Sequence, residues 1–222
     1  MARKKTTPPL ELRKVTQRQI PGAIEAVELH TSAGIIYCYF HAAQECEAAV
    51  VWVGGAGGGL EGPAGGMYAR LAARLLHDRI ASLRLDYRQA NQLTDCILDT
   101  LLGVAYLQYR NYSRIALVGH SFGGAVVISA GVASGAVAGV AALSSQTIGT
   151  DTAPALSPRP LLLMHGTVDP VLPDLCSRDI FRRAGEPKQM LLYPGCGHGL
   201  DECREQVDQD LLHWLRQVLQ ET

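Results

Sequence analysis

The chain has no excess of charge of either sign. It carries 20 Lys and Arg against 21 Asp and Glu in 222 residues, a formal net charge of −1. So even a balance gives no electrostatic footprint for nucleic acid over the body of the protein. It also lacks a secretory signal: residues 1–10 are basic and then Thr/Pro-rich, without the apolar run of about 7–15 residues that export requires. A cytoplasmic location is therefore expected. The six cysteines, at 38, 46, 96, 176, 196 and 203, contain no CxxC pair. Without a signal they read as free thiols, Cys38 and Cys96 on apolar periodicities as small core residues. Cys196, His198 and Cys203 lie close in sequence but lack the spacing of a zinc site, and no metal is expected. There is no GK[ST] phosphate-loop motif, no internal repeat and no interdomain linker.

What is present suits one globular domain. Hydrophobic residues make up 47 % and charged residues 18 %, enough for a single sizeable core. The first 18 residues hold six basic side chains and one acid, Glu11. Residues 1–20 are accordingly expected as a flexible basic tail and residues 21–222 as the domain. From Ile115 to Thr150 no residue is formally charged, but repeated glycines and serines break this stretch into pieces too short to span a membrane. It reads as strand, helix and strand in the middle of a core.

Apolar runs alternate with helical periodicities along the rest of the chain. Strands are expected over Ile24–His30, Ile35–His41, Ala49–Val53, Ile80–Leu85, Arg114–Val118, Val137–Leu143, Pro160–Met164 and Gln189–Tyr193. Helical stripes follow most of them, among them Leu93–Leu107, Gly123–Ala133 and a closing helix through Val207–Val218. Such alternation predicts an α/β fold, a mostly parallel eight-stranded sheet with helices on both faces.

The strongest chemical signal is Gly119-His120-Ser121-Phe122-Gly123-Gly124, directly after a strand. A serine in so tight a strand-to-helix turn projects its hydroxyl from the sheet edge, and the flanking residues must be small to avoid the adjoining backbone. An acid and a base follow in order. Asp169 stands on the loop after the Leu161–Met164 strand, with Asp174 and Asp151 as less suitable alternatives. His198 lies between glycines in Gly195-Cys196-Gly197-His198-Gly199. His120 and His165 are less suited as the base, one fixed within the turn and the other ahead of the acid. Ser121, Asp169 and His198 thus compose a nucleophile, an orienting carboxylate and a general base. The backbone N–H of Phe122 and an N–H from the Gly54–Gly59 loop, best Ala56, would receive an oxyanion. Gly55, Gly57 and His120 are the expected substrate contacts.

The same loop supports a rival. Gly57, Gly59 and Gly62 match GxGxxG, and Asp86 stands at the next strand end, as in a dinucleotide site. The delay between strand and helix, with Pro63 and Gly65–Gly66 intervening, weighs against it.

On these residues the chain resembles the α/β-hydrolase superfamily over roughly residues 24–219. The order Ser121, Asp169, His198 matches, as do His165-Gly166-Thr167-Val168-Asp169-Pro170 and Leu85-Asp86-Tyr87-Arg88. Its short format is similar to dienelactone-hydrolase-like members, with two departures. Dienelactone hydrolases proper carry a cysteine where this chain has Ser121, and the loop that often opens with His-Gly here opens with Gly54-Gly55. The resemblance implies a cofactor-independent hydrolase of a small acyl substrate, an ester or thioester, with no membrane or nucleic-acid partner. Acyl transfer, amide cleavage, or a binding protein on the same scaffold would use the same residues. Only about 16 residues separate Leu143 from Pro160, too few for a lid domain. An open site is expected, walled by residues 54–66, 86–93 and 144–157.

Overall fold

Left-handed backbone at Gly22 and Ala23 (φ 88° and 57°) turns β1 (Leu12–Ile20) back along β2 (Ile24–Thr31). A second reversal at Gly34 leads into β3 (Gly34–His41), completing an antiparallel ribbon. The computed structural model describes residues 10–220. The expectation of a flexible tail fails for residues 12–20, which pair with β2 along their length. The reason is alternation hidden among charges. Val15 packs on the core and Gln17 donates to Tyr106 Oη at 2.8 Å, while Lys14 and Arg18 are exposed. Basic side chains on an edge strand also discourage pairing with another chain. The part of the expected tail over residues 1–9 lies outside the described residues.

The remaining strands are β4 (Ala48–Val53), β5 (Ala81–Asp86), β6 (Arg114–His120), β7 (Val137–Leu143), β8 (Leu161–Gly166) and β9 (Lys188–Tyr193). The described residues thus form one nine-stranded sheet rather than eight, in the order β1-β2-β3-β5-β4-β6-β7-β8-β9. β3 runs antiparallel to β5, and every pairing from β5 to β9 is parallel. The added strand is the one read as tail.

Helices α1 (Pro63–Leu75) and α5 (Arg204–Gln220) cover one face, where Trp52, Met67, Leu71, Leu211 and Leu215 share a core. Helices α2 (Leu93–Tyr109), α3 (Phe122–Ala133) and α4 (Leu175–Arg183) cover the other, with Val51, Val53, Val104, Val127 and Ile180. Burial on both faces explains the unbroken apolar run of β4, all six residues of which are buried. The charge-free stretch is β6, α3 and β7, as its glycines implied. Among the described residues no helix is long and apolar enough to cross a membrane.

Two connections shape the edge at the C-terminal ends of the parallel strands. Between β7 and β8 the chain forms only a short 3-10 turn, Ala153–Leu156, so there is no lid domain. Between β4 and α1, Gly62, Ala64, Gly65 and Gly66 are all left-handed, and regular helix begins at Met67. Arg70 donates to the carbonyls of Ala64 and Gly65 and pairs with Asp208 of α5 at 2.7 Å, fixing this unusual stretch from behind.

Candidate active site

Ser121 joins β6 to α3 at φ 58° and ψ −120°, a conformation that costs a non-glycine residue about 1–3 kcal/mol and needs surrounding structure to hold it. That structure is present. The Ser121 N–H donates to Leu143 O at 2.8 Å, and its carbonyl accepts from Gly124 N at 3.0 Å and Gln146 N at 3.4 Å. The flanking glycines are required by close approach: a Cβ on Gly119 would strike the Gly123 carbonyl, and one on Gly123 the Gly54 carbonyl.

Asp169 lies on the loop after β8 with its side chain fully buried. Oδ1 accepts the N–H groups of Val171 and Leu172, both at 2.8 Å. Oδ2 accepts from His198 Nδ1 at 2.7 Å and lies 3.2 Å from His165 Nε2. Burial is the largest single influence and favours the neutral acid. The Leu172 N–H, the His198 bond and the Val171 N–H together outweigh it and hold the carboxyl below its usual pKa. Of the alternative acids, Asp174 is paired with Arg178 at 2.9 Å and Asp151 is exposed.

With Nδ1 of His198 on Asp169, Nε2 is the nitrogen left for proton transfer. The His198 backbone is held from the elbow itself: its carbonyl lies 2.9 Å from His120 Nε2, and the two rings are 4.7 Å apart. His120, an expected substrate contact, thus has its Nε2 engaged by the His198 carbonyl. Burial, chiefly, lowers the His120 pKa to about 4. Ser121 Oγ makes no hydrogen bond to a described residue; catalytic hydrogen bonds are often long or unformed until substrate is bound.

The His198 loop is braced on three further sides. Ala64 N donates to Gly199 O at 2.7 Å, Gly197 N donates to Glu202 at 3.0 Å, and Cys196 is disulfide-bonded to Cys203. The disulfide corrects the expectation of free thiols at these two positions. Left-handed Leu200 and the 3-10 turn Asp201–Cys203 fold the chain back so that the two Cα atoms are 6.0 Å apart. Cys196 and Cys203 are thus bonded to each other, and His198 Nδ1 is engaged by Asp169.

Gly55 sits against the elbow: a Cβ placed on it would be 3.4 Å from Ser121 Cβ. A tight turn, Gly58 N to Gly55 O at 3.0 Å, puts Ala56 and Gly57 at its tip, and Gly57 borders open space. No described residue accepts the N–H of Ala56 or of Phe122. Two tyrosines pin the root of this loop, Tyr68 Oη to Val53 O at 2.8 Å and Tyr87 Oη to Gly54 O at 3.1 Å. In the sequence Tyr87 reads only as part of the Leu85–Arg88 segment. Asp86 accepts the Gly59 N–H at 2.7 Å. That bond engages the Asp86 carboxylate with the loop itself, and regular helix begins only at Met67, past the glycines. His165 and Glu202, neither assigned a part at this site from sequence, both touch it; their contacts depend on loop paths that spacing does not reveal.

Residues 64–217 match the dienelactone hydrolase family model. The chain belongs to the dienelactone hydrolase family. A search of curated protein sequences gave no match. Solved structures share the fold of this family member at low identity. The α/β-hydrolase GrgF of Penicillium sp. sh18 superposes with a TM-score of 0.69 at 14 % identity, over 96 % of this chain and 99 % of that one. A dienelactone hydrolase from Anabaena variabilis gives 0.69 at 15 %, over 90 % and 99 %. An α/β serine hydrolase without lid from Xanthomonas campestris gives 0.70 at 15 %, over 92 % and 99 %. The chain is thus a hydrolase-family protein with the α/β-hydrolase fold and, like the Xanthomonas protein, no lid.

Proposed function

We propose that this protein is a serine hydrolase of carboxylic esters or thioesters. The observation that carries the reading is the 2.7 Å bond from His198 Nδ1 to a fully buried Asp169, at the same sheet edge as the strained Ser121. In the proposed cycle His198 Nε2 takes the Ser121 proton as Oγ attacks the substrate carbonyl. Asp169 fixes the tautomer and stabilises the charged imidazole. The carbonyl oxygen gains the electron pair and is received by the N–H groups of Phe122 and Ala56. Collapse expels the alcohol or thiol, which takes the proton from His198, and leaves an acyl-serine. Water, deprotonated by His198, then releases the acid and restores Ser121.

The test is labelling with a fluorophosphonate, followed by peptide mapping, together with turnover of p-nitrophenyl acetate. The expected result is label on Ser121 and none on Ser121→Ala. Folded wild-type protein that takes no label and turns over no ester would overturn the proposal.

A further inference from the structure

One buried imidazole touches Asp169 and takes no part in the proton transfers above. His165, the fifth residue of β8, is fully buried and engaged at both nitrogens. Nδ1 lies 2.7 Å from Ser177 Oγ, while Nε2 lies 3.0 Å from Leu172 O and 3.2 Å from Asp169 Oδ2. A carbonyl and a carboxylate can only accept, so these partners assign the ring proton to Nε2, and the Ser177 hydroxyl donates to Nδ1.

The bonds close a ring. Leu172 N donates to Asp169 Oδ1, Leu172 O accepts from His165 Nε2, and the same Nε2–H is shared with Asp169 Oδ2. Ser177 belongs to the first turn of α4, so the start of that helix is tied into the ring as well. Oδ2 is therefore approached by two imidazoles, one engaged through Nδ1 and the other through Nε2.

We propose that His165 is a positioning residue: it holds Asp169 in the orientation that meets His198, and Ser177 fixes the His165 tautomer. This rests on the triad reading above. It assigns His165 no contact with substrate, and its effect passes wholly through the carboxylate. Loss of the Nε2 donor leaves Oδ2 held by His198 alone, so the base acquires freedom that the free enzyme otherwise lacks. The signature is a fall in kcat with little change in KM, because substrate contacts are untouched.

The experiment compares wild type, His165→Leu, His165→Gln and Ser177→Ala on p-nitrophenyl acetate. His165→Leu is expected to lower kcat by about 10- to 100-fold with KM within about twofold, as sub-ångström to ångström misplacement of a catalytic group does. His165→Gln, whose amide reaches as far as Nε2, is expected to restore kcat to within about fivefold of wild type, and Ser177→Ala to fall between. A wild-type kcat in folded His165→Leu, or a His165→Gln as slow as His165→Leu, would overturn the proposal. Nitrogen-15 NMR of the wild-type histidines decides it without any variant. A proton on Nε2 of His165 and none on Nδ1 supports it, and the reverse tautomer refutes it. Failure of the triad reading shows separately, as wild-type protein that takes no fluorophosphonate label.

Discussion

His120 Nε2 and the carbonyl oxygen of His198 are 2.9 Å apart, so the residue before the elbow serine holds the backbone of His198, the proposed base. Residues 78 positions apart are joined by this one bond, and their rings pack at 4.7 Å. The elbow and the base loop are thereby registered to each other without any contact through substrate.

Replacing His120 by Phe keeps the ring and deletes the donor. The expected result is a kcat lower by about tenfold, since misplacement of a base by a fraction of an ångström is costly, with KM changed less. Steady-state kinetics on p-nitrophenyl acetate measure both.

Acid should weaken the fold over a defined window. Burial, chiefly, lowers the pKa of His120 to about 4; burial, with the charge of Arg84, does the same for His41. An unfolded histidine titrates near 6.5. Between about pH 6.5 and 4 the unfolded chain binds protons that the folded chain refuses, so stability is full above this window and declines through it. Urea midpoints measured from pH 7 to 4 should fall steadily, and His120→Gln should flatten part of the slope.

Asp169→Asn should cost about 10³- to 10⁴-fold in kcat, because an amide neither fixes the required tautomer nor stabilises the imidazolium. The substitution also has a stability signature of opposite pH sense to a raised carboxyl. The wild-type carboxyl is held below its usual value, so its stabilisation is present above about pH 3.9 and lost as the pH falls through the folded value. Wild type should therefore lose its advantage over the variant only at the acid end of a urea titration.

Cys203→Ser opens the loop closed by the bond to Cys196, seven residues away. A chain-entropy account of so short a loop gives about 2–3 kcal/mol of lost stability. Denaturant unfolding with and without reductant should show that reductant destabilises wild type and leaves the variant unaffected.

Gly123→Ala places a methyl group against the Gly54 carbonyl, a backbone atom that cannot swing aside. Destabilisation of at least about 1–3 kcal/mol is expected from overpacking, with loss of fluorophosphonate labelling as the elbow shifts. Gly57→Ala, which meets nothing within 4 Å, should leave stability near wild type in the same assay.

Much of this architecture was visible before any coordinates. Features fixed by local geometry are the readable ones: Gly119 and Gly123 around Ser121 and the apolar run of β4. β1 is hard to read because three of its nine residues are Arg or Lys, and charge obscures the contacts of Val15 with the core and of the Gln17 amide with Tyr106. The Cys196–Cys203 bond was missed because its geometry depends on left-handed Leu200, which no periodicity reports. In the sequence His165 reads only as a histidine ill placed to be the base, ahead of the acid. Its place behind Asp169 follows from how the loop through Leu172 folds back over β8, a path that sequence spacing leaves open.

The left-handed residues on either side of Pro63, Gly62 and 64–66, do more than postpone a helix. Because Ala64 lends its N–H to Gly199 while Arg70 anchors its carbonyl to α5, chain spliced into this corner would pull directly on the neighbour of His198. An added cover over the serine would be tolerated better in the exposed part of the β7–β8 connection near Asp151 and Thr152, where lengthening the chain disturbs no support of the His198 loop.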